Sequence, residues 1–294
     1  MKFQLPFDRL SLRQYCTDLE NTDCNLCLRQ LNDSHRRRLE LFERPQYRSY
    51  PISLIQGALH KLAAYKLTQH KSCLSYAEDI ATQIISRAQT HDDALFFVYD
   101  FDFSLHGYLR DTLKAPWFSA MCQGQMLQLI TRLSVLLDSS DYRDYAISTF
   151  NSFDPLRFNT EGLPWVTYVD DKDYLWLEEY PLNPSGTHAL NGKIFAMFGI
   201  YEFMMVTKEP QAEEIFSRSL KTIKAHLQQY YHDSGISRYC LVHPEIRAAG
   251  YHTIHLDQLH VLSMITEDPY YNEMALYLNN GVSTINHPQR IENN

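Results

Sequence analysis

Two tyrosines occupy places in this sequence where a hydroxyl group could move a proton. Tyr180 follows a pair of glutamates, Tyr251 opens a segment that contains His252 and His255, and each tyrosine comes shortly before a long apolar run. A tyrosine of ordinary pKa, about 10, is protonated at neutral pH, so it serves readily as an acid but needs help as a base. These positions make Tyr180 and Tyr251 candidates for acid–base chemistry.

The segment after Tyr251 has two distinct helical faces. Tyr251, His255 and Gln258 share one face because they lie at positions i, i+4 and i+7, whereas Leu256 and Leu259 belong to another. A polar stripe beside an apolar one is typical of a helix that packs on a core and lines a wet cavity. The pattern predicts such a helix here.

Four amide side chains recur at a nearly constant interval. Gln56, Gln123, Asn191 and Gln258 are separated by 67, 68 and 67 residues, and a glycine follows each of the first three. A fixed period of several tens of residues indicates an array of similar units. The repeat predicts that the amides share one wall of a cavity; the structural alternative is that amides cap helices and glycines let helices pack closely.

The hydrophobic pattern predicts two helices in each unit. The lightly charged helices that carry the amides form a predicted inner ring: Pro51 to Thr68, Trp117 to Asp138, Thr187 to Thr207 and His252 to Ile265. More charged, amphipathic helices form a predicted outer ring behind them: Leu74 to Ala88, Tyr142 to Phe153, Pro210 to Tyr231 and Pro269 to Leu278.

Short extended segments separate each outer helix from the next inner one. They are Ala94 to Phe103, Trp165 to Tyr180 and Gly235 to Val242. The predicted fold class is mainly α: an incomplete (α/α)4 toroid of helical hairpins with short β-hairpins at the cleft. Residues 1–46 are expected to form an N-terminal helical arm, and residues 47–294 the toroid domain.

Composition and charge limit the classes of function. The 294-residue chain is 45% hydrophobic, enough for a full core, and its formal charge of −8 disfavours nucleic acid as a partner. The opening MKFQLPFDRLSL lacks the apolar stretch of a secretion signal, and Lys193 to Val206 is too short and mixed to span a bilayer. These features predict a cytoplasmic protein without a membrane partner.

The sequence predicts neither a cofactor nor a metal. It contains neither GxGxxG nor a P-loop, which disfavours a bound nucleotide. The six cysteines are sparse and irregular, with one CxxC at Cys24 and Cys27, so free thiols in a reducing compartment are expected. Among His252, His255 and His260, only the first two share a helical face, too few for a catalytic metal.

Three colinear motifs resemble the catalytic domain of the D-glucuronyl C5-epimerases. They are WFSAMCQGQ at Trp117–Gln125, EEYP at Glu178–Pro181 with LNG at Leu190–Gly192, and YHTIH at Tyr251–His255. The resemblance extends from about residue 50 to about residue 278. It implies inversion of C5 of glucuronate to give iduronate within heparosan-like chains, an anionic uronate polysaccharide as substrate, no cofactor, and a homodimer.

The resemblance points to Tyr180, Tyr239 and Tyr251 as catalytic tyrosines, with Glu179 as an alternative partner for Tyr251. Epimerisation removes a proton from a carbon next to a carboxylate, and the site must neutralise the charge that builds there. A proton must then return from the opposite face. Groups on two different segments are therefore the natural solution.

Further residues are expected to bind the sugar or to assist the tyrosines. They are Trp117, which would stack on a pyranose face, and Gln123, His188, Asn191, Arg247, His252 and His255. The animal enzymes have an arginine three residues after the tyrosine equivalent to Tyr239, where this chain has Val242. Either Arg247 takes over carboxylate binding, or the substrate differs somewhat.

Other functions compete with epimerisation. A polysaccharide lyase forms the same carbanion and then eliminates the 4-linked sugar. A glycosidase would pair Glu178 or Glu179 with another carboxylate. A catalytically silent glycan-binding protein would keep the polar contacts but would have no need of tyrosines at opposed positions.

Overall fold

A computed structural model describes residues 50–280, in which helical hairpins alternate with short β-hairpins. The predicted helical arm over residues 1–46 lies outside the described residues and stays a prediction. Within the described part, the mainly α, incomplete toroid predicted from the repeat is confirmed.

Each helical hairpin pairs an inner helix with an outer one. The inner helices are α1 (Pro51–Thr68), α3 (Ala120–Leu136), α5 (Leu190–Thr207) and α7 (His252–Thr266). The outer helices are α2 (Lys71–Ile85), α4 (Ser140–Phe150), α6 (Pro210–His226) and α8 (Tyr270–Asn280).

Two inner helices begin later than the sequence pattern predicts. Trp117 lies before α3 because its backbone exchanges two hydrogen bonds with Tyr99, of 2.9 and 3.1 Å. His188 lies before α5 because its φ of 59° is left-handed and incompatible with a helix. Both departures place side chains at the cleft end of the toroid, where the helices start.

The short strands form antiparallel pairs between the helical hairpins. They are β1 (Gln89–His91) with β2 (Ala94–Phe96), β3 (Phe103–Ser104) with β4 (Thr112–Leu113), and β5 (Thr167–Val169) with β6 (Leu175–Leu177). The predicted extended piece from Gly235 to Val242 forms only an isolated bridge between Arg238 and Arg247.

The centre of the core is the contact between α3 and α5. A Cβ atom on Gly124 would lie 2.3 Å from the Ala196 Cα, and one on Gly199 would lie 1.8 Å from the Gly124 carbonyl oxygen. Any larger residue would collide with backbone, which cannot rotate away. These glycines therefore let the two helices touch along their main chains.

A buried charge cluster also joins α3 to α5. The Glu202 carboxylate accepts two hydrogen bonds from the Arg132 guanidinium, of 2.6 and 2.8 Å, and one of 2.6 Å from the Gln128 amide. Glu202 is 2% exposed, so an unpaired carboxylate there would be costly. The bidentate pair satisfies both oxygens and fixes the register of the two helices.

The ring of inner helices is open on one side. α1 packs on α3, α3 on α5, and α5 on α7, but comparable packing between α1 and α7 is absent within residues 50–280. Cys73, Cys122 and Cys240 are buried free thiols, as predicted. No helix in this part of the chain combines the length and the apolar character needed to cross a membrane.

Candidate active site

The β5–β6 hairpin leads directly into two buried carboxylates, Glu178 and Glu179. The Glu178 N–H donates to the Val166 carbonyl, and its carbonyl accepts from the Ala120 N–H at the start of α3, both at 2.8 Å. The backbone is thus tied to two other segments immediately before Glu179. That carboxylate is only 7% exposed.

Glu179 belongs to a hydrogen-bonded chain with two tyrosines. The Tyr239 hydroxyl donates to the Glu179 carboxylate, 3.3 Å from Oε1 and 3.4 Å from Oε2. The Tyr180 hydroxyl lies 3.1 Å from the Tyr239 hydroxyl. All three side chains are buried. This chain of polar groups can pass a proton between the carboxylate and either phenol.

The pKa values of the carboxyl group and of the two phenols are shifted into different ranges. Burial raises the pKa of Glu179 to about 7, although hydrogen bonds from Tyr180 and Tyr239 oppose the rise. Burial, reinforced by the Glu179 charge, raises the pKa of both tyrosines well above the ordinary value. Near neutral pH the carboxyl group can accept or release a proton, whereas the phenols stay protonated.

Tyr251 brings this chemistry to the surface of the cleft. Its ring centroid lies 5.3 Å from that of Tyr239, edge to face, and the residue is 41% exposed. Burial and then the charge of Glu179 raise the pKa of the Tyr251 phenol. The structure therefore brings together the four predicted catalytic residues, with Tyr251 the most accessible of them.

Tyr50 is a site residue that the sequence prediction missed. It directly precedes α1, and its ring stacks on Phe101 with centroids 5.6 Å apart. Burial, then the charges of Glu179 and Tyr251, raise the pKa of Tyr50 to about 12. The signal was present, because Tyr50 precedes the first inner helix as Tyr251 precedes the fourth.

The first turn of α5 makes room for the Glu179 carboxylate. A Cβ atom on Gly192 would lie 2.2 Å from Glu179 Oε2. The neighbouring Asn191 is fully buried, and its amide helps to lower the pKa of Glu179 against the effect of burial. Neither amide atom of Asn191 forms a hydrogen bond of good geometry within residues 50–280. This burial suits a role in positioning Glu179 better than direct sugar contact.

Trp117 supports Tyr180 in place of the predicted stacking on a sugar. It is 5% exposed, its ring stacks on Tyr99 at 4.1 Å, and its indole N–H donates to the Phe101 carbonyl. The stack continues through Phe103 to Tyr180, with centroid distances of 5.9 and 5.6 Å. Both faces of the indole are therefore occupied by protein.

Gln123 has no amide hydrogen left for a sugar. Its Oε1 accepts from the Phe97 N–H, and its Nε2 donates to the Leu95 carbonyl and the Ser152 hydroxyl, all at 2.8 Å. The predicted sugar contact at Gln123 is replaced by a structural role, in which the amide anchors the β1–β2 hairpin to α3.

On the polar stripe of α7, His255 and Gln258 are buried, whereas Tyr251 is exposed. His252 Nδ1 accepts from the Ser237 N–H at 3.0 Å, and His255 Nδ1 lies 2.7 Å from the Ser237 hydroxyl. Burial lowers the pKa of His255 to about 3, so the ring is neutral. Gln258 donates to an α5 carbonyl. His252 and His255 thus hold Ser237, two residues before Tyr239.

His188 is likewise engaged by protein groups on both ring nitrogens. Nδ1 lies 2.7 Å from Glu178 Oε1, and Nε2 lies 3.3 Å from the Tyr168 hydroxyl. The ring also lies against Trp176, with centroids 3.8 Å apart. The buried Glu178 and the partly buried His188 thus form a structural pair next to Glu179.

Arg247 lies on the segment that pairs with the Tyr239 backbone. The bridge between Arg238 and Arg247 and the 2.9 Å hydrogen bond from the Tyr239 N–H to Ile246 define this pairing. Val242 and Arg247 are both exposed, and Arg247 takes part in no ion pair within the described residues. The structure leaves Arg247 accessible from solvent, and its predicted contact with substrate stays a prediction.

Three further side chains next to Tyr239 have the donor atoms of a metal site. His106, Cys240 and His243 offer ligand atoms that all lie within 4.8 Å of one another. Cys240 and His243 lie three residues apart, but His106 is 134 residues from Cys240 in the chain, so the sequence analysis did not bring the three together.

The fold is an α/α toroid of helical hairpins, an architecture that this chain shares with several solved structures. The Lin0763 protein from Listeria innocua matches with a TM-score of 0.59 and 12% identity, over 92% of this chain and 70% of that chain. Cellobiose 2-epimerase from Bacillus thermoamylovorans matches with a TM-score of 0.57 and 11% identity, over 94% of this chain and 72% of that chain. An unsaturated glucuronyl hydrolase specific for heparin matches with a TM-score of 0.55 and 14% identity, over 93% of this chain and 70% of that chain. At these identities the likeness shows the shared fold alone.

The family follows from the sequence itself. The profile described as D-glucuronyl C5-epimerase C-terminus matches residues 92–280, well over half of the chain, and the protein belongs to that family. An uncharacterized protein of Methanocaldococcus jannaschii is 28% identical over 168 residues, which cover 57% of this chain. The match spans 50% of that relative's length.

Proposed function

We propose that this protein is a uronyl C5-epimerase that converts D-glucuronate residues to L-iduronate within a heparosan-like polysaccharide. The observation that best supports the proposal is the buried chain of Glu179, Tyr239 and Tyr180 with Tyr251 at its exposed edge. Inversion needs a base that can lose its proton near neutral pH and an acid on a different segment. Membership of the C5-epimerase family agrees with this chemistry.

In the proposed reaction Glu179 is the base on one face of the sugar. It accepts the C5 proton, directly or through the Tyr239 hydroxyl, and the electron pair of the C–H bond delocalises into the sugar carboxylate. Tyr251 then donates its phenolic proton to the opposite face of C5. A proton that returns from Glu179 to the Tyr251 phenolate, through Tyr239 or water, restores both groups.

The sugar carboxylate becomes more negative as the proton leaves, so the site must offer positive charge or hydrogen-bond donors. Arg247 is the exposed cation on the segment that pairs with the backbone of Tyr239. A flexible, exposed side chain of this kind would order on the substrate. Binding of the anionic polymer should therefore weaken as salt rises.

Incubation of uronate polymers in deuterated water tests the proposal. We expect deuterium at C5 and new iduronate signals by nuclear magnetic resonance, with chain length unchanged. Heparosan is the first substrate, and other glucuronate polymers define the specificity. An unsaturated chain end would identify a lyase and a new reducing end a hydrolase, and either product without exchange would overturn the proposal.

A residue variant tests the assignment of Tyr251. Tyr251→Phe should abolish the conversion of glucuronate to iduronate because no phenol remains to protonate the second face. Tyr145→Phe removes the hydroxyl of another partly exposed tyrosine, on α4, and serves as the matched control. Near-normal formation of iduronate by Tyr251→Phe would show that another group donates the proton.

A further inference from the structure

The loop after Tyr239 and the turn between β3 and β4 converge on one sulfur atom. Cys240 Sγ lies 3.4 Å from His243 Nδ1 and 3.7 Å from His106 Nε2. Cys240 is fully buried, His243 is 1% exposed, and His106 is half-buried at the surface turn. We infer that His106, Cys240 and His243 form a binding site for a zinc-class transition metal ion.

The two sulfur–nitrogen distances match those of tetrahedral coordination. Zinc lies about 2.3 Å from a thiolate and about 2.0–2.1 Å from imidazole nitrogen, which at a tetrahedral angle separates sulfur from nitrogen by about 3.5 Å. The two sulfur–nitrogen distances of 3.4 and 3.7 Å lie on either side of that value. Two imidazoles and one thiolate are a donor set that suits zinc and disfavours calcium or magnesium.

A carboxylate orients one of the histidine ligands. His243 Nε2 lies 2.9 Å from Asp111 Oδ2, and Asp111 is a residue of the short turn that precedes β4. When neutral His243 donates its Nε2 proton to Asp111, the Nδ1 lone pair points to the Cys240 sulfur. A carboxylate that holds the other nitrogen of a ligating histidine is the usual support of a zinc site.

The backbone also aims His106 at the sulfur. His106 adopts a left-handed φ of 54°, and Gly107 follows with a φ of 81°. A side chain other than glycine is strained in this region, so the turn is held in place by its surroundings.

The ion would change the charge next to the proposed active site. Two neutral imidazoles, one thiolate and Zn²⁺ give a net charge of +1, and binding releases the thiol proton to solvent. The His106 ring lies edge to face against Tyr239, with centroids 5.2 Å apart. We expect the ion to help attract the substrate carboxylate, a step that rests on the proposed epimerase function.

Calorimetric titration with Zn²⁺ tests the site on the full chain after its metals have been removed with a chelator. The Cys24→Ser/Cys27→Ser variant is the background, because that CxxC could bind zinc independently. We expect one Zn²⁺ per chain and no comparable binding of Ca²⁺ or Mg²⁺. Co²⁺ in place of Zn²⁺ should give thiolate-to-cobalt charge-transfer absorption in the near ultraviolet.

Four variants locate the ion. Cys240→Ser and His106→Asn should abolish zinc binding, and asparagine tolerates the left-handed backbone at position 106. Asp111→Asn should weaken binding by about 10–100-fold, since it removes only the support of His243. Cys73→Ser, a buried thiol on α2, should bind zinc normally.

The outcomes separate this inference from the proposed function. Absence of stoichiometric zinc binding, or binding unchanged in both His106→Asn and Asp111→Asn, overturns the metal site even if Cys240→Ser does not fold. The Cys240–histidine contacts are then hydrogen bonds of a neutral thiol. Zinc binding by a protein that exchanges no deuterium would refute the epimerase proposal and leave the metal site intact.

Discussion

Gln123-Gly124 and Asn191-Gly192 occupy equivalent places in the repeat, yet their surroundings are opposite. The Gln123 amide uses its oxygen and both hydrogens on protein groups, and Gly124 makes room for the backbone of α5. The Asn191 amide has no partner of good geometry within residues 50–280, and Gly192 makes room for the Glu179 carboxylate. Gln123-Gly124 has a structural role, and Asn191-Gly192 borders the buried Glu179 carboxylate.

The contrast indicates which of the two positions could affect the proposed chemistry. The repeat supplies an amide at both inner-helix starts, but only the Asn191 amide helps to lower the pKa of the buried Glu179 carboxylate. The surroundings of each amide therefore distinguish the two positions better than residue type does.

The largest effect should come from Glu179. Glu179→Gln keeps the shape of the side chain but removes the base, so C5 exchange should fall roughly a thousand-fold, in the range typical of general bases. Deuterium incorporation measured by nuclear magnetic resonance checks this. Glu161 is exposed, and Glu161→Gln is the control. Equal exchange rates for the two variants would show that Glu179 takes no part in the reaction.

The same variant should alter how stability depends on pH. Because the Glu179 pKa is raised to about 7, the folded state binds the proton more tightly than the unfolded state does. The stabilisation from this group is therefore fully present below a pH of about 4.5. It is lost as pH rises through 7, which lowers the free energy of unfolding by a few kcal/mol.

Urea unfolding of wild type and Glu179→Gln at a series of pH values measures this contribution. Between pH 4 and pH 8 the free energy of unfolding of the glutamine variant should rise by about 3 kcal/mol relative to that of wild type, because the glutamine side chain does not titrate. A difference that is constant across this range would mean that the carboxyl group titrates normally.

Substitution of Gly192 and substitution of Gly124 should have different effects on rate and stability. Gly192→Ala pushes the Glu179 carboxylate aside, and a displacement of about 1 Å can reduce a rate by about 100-fold. Gly124→Ala collides with the α5 backbone and should cost about 1–3 kcal/mol of unfolding free energy, with exchange per folded molecule retained. Rates of exchange and free energies of unfolding, measured for both variants, check this. A rate loss in Gly124→Ala with a stability loss in Gly192→Ala would contradict the roles assigned to the two positions.

The smallest effects should come from the amides themselves. Gln123→Leu leaves buried backbone and hydroxyl groups without a hydrogen-bond partner. It should lower the free energy of unfolding by about 2 kcal/mol with little change in exchange. Asn191→Leu loses no well-formed hydrogen bond, so it should be less destabilising and should instead reduce exchange by disturbing Glu179. Thermal unfolding beside deuterium incorporation separates the two. Equal stability losses would show that Asn191 is also structural.

Much of the fold could be predicted from the sequence because inner and outer helices differ in their apolar patterns. The repeat placed the inner-helix starts at the cleft, and that placement identified Tyr180 and Tyr251. The late starts of α3 and α5 could not be predicted, since they depend on the bridge to Tyr99 and on the left-handed His188.

The site was harder to predict because it depends on partners distant in the chain. His188, His252 and His255 have the residue type of a binding site, yet Glu178 and Ser237 engage them in structural contacts. The opposite holds for Cys240, which lies three residues before His243 in the chain but is brought to His106 only by the fold. Tyr50 had a local signal, because it precedes the first inner helix as Tyr251 precedes the fourth.

The open side of the toroid has a consequence for how the protein responds to heat. Tyr50 and Tyr251 precede α1 and α7, the two inner helices that lack mutual packing, whereas α3 and α5 are in main-chain contact. Elements at the ends of an array open at lower free energy than those at its centre. Catalysis should therefore decline at temperatures where the α3–α5 centre is still folded, and a bound polymer that touches both edges would delay that loss.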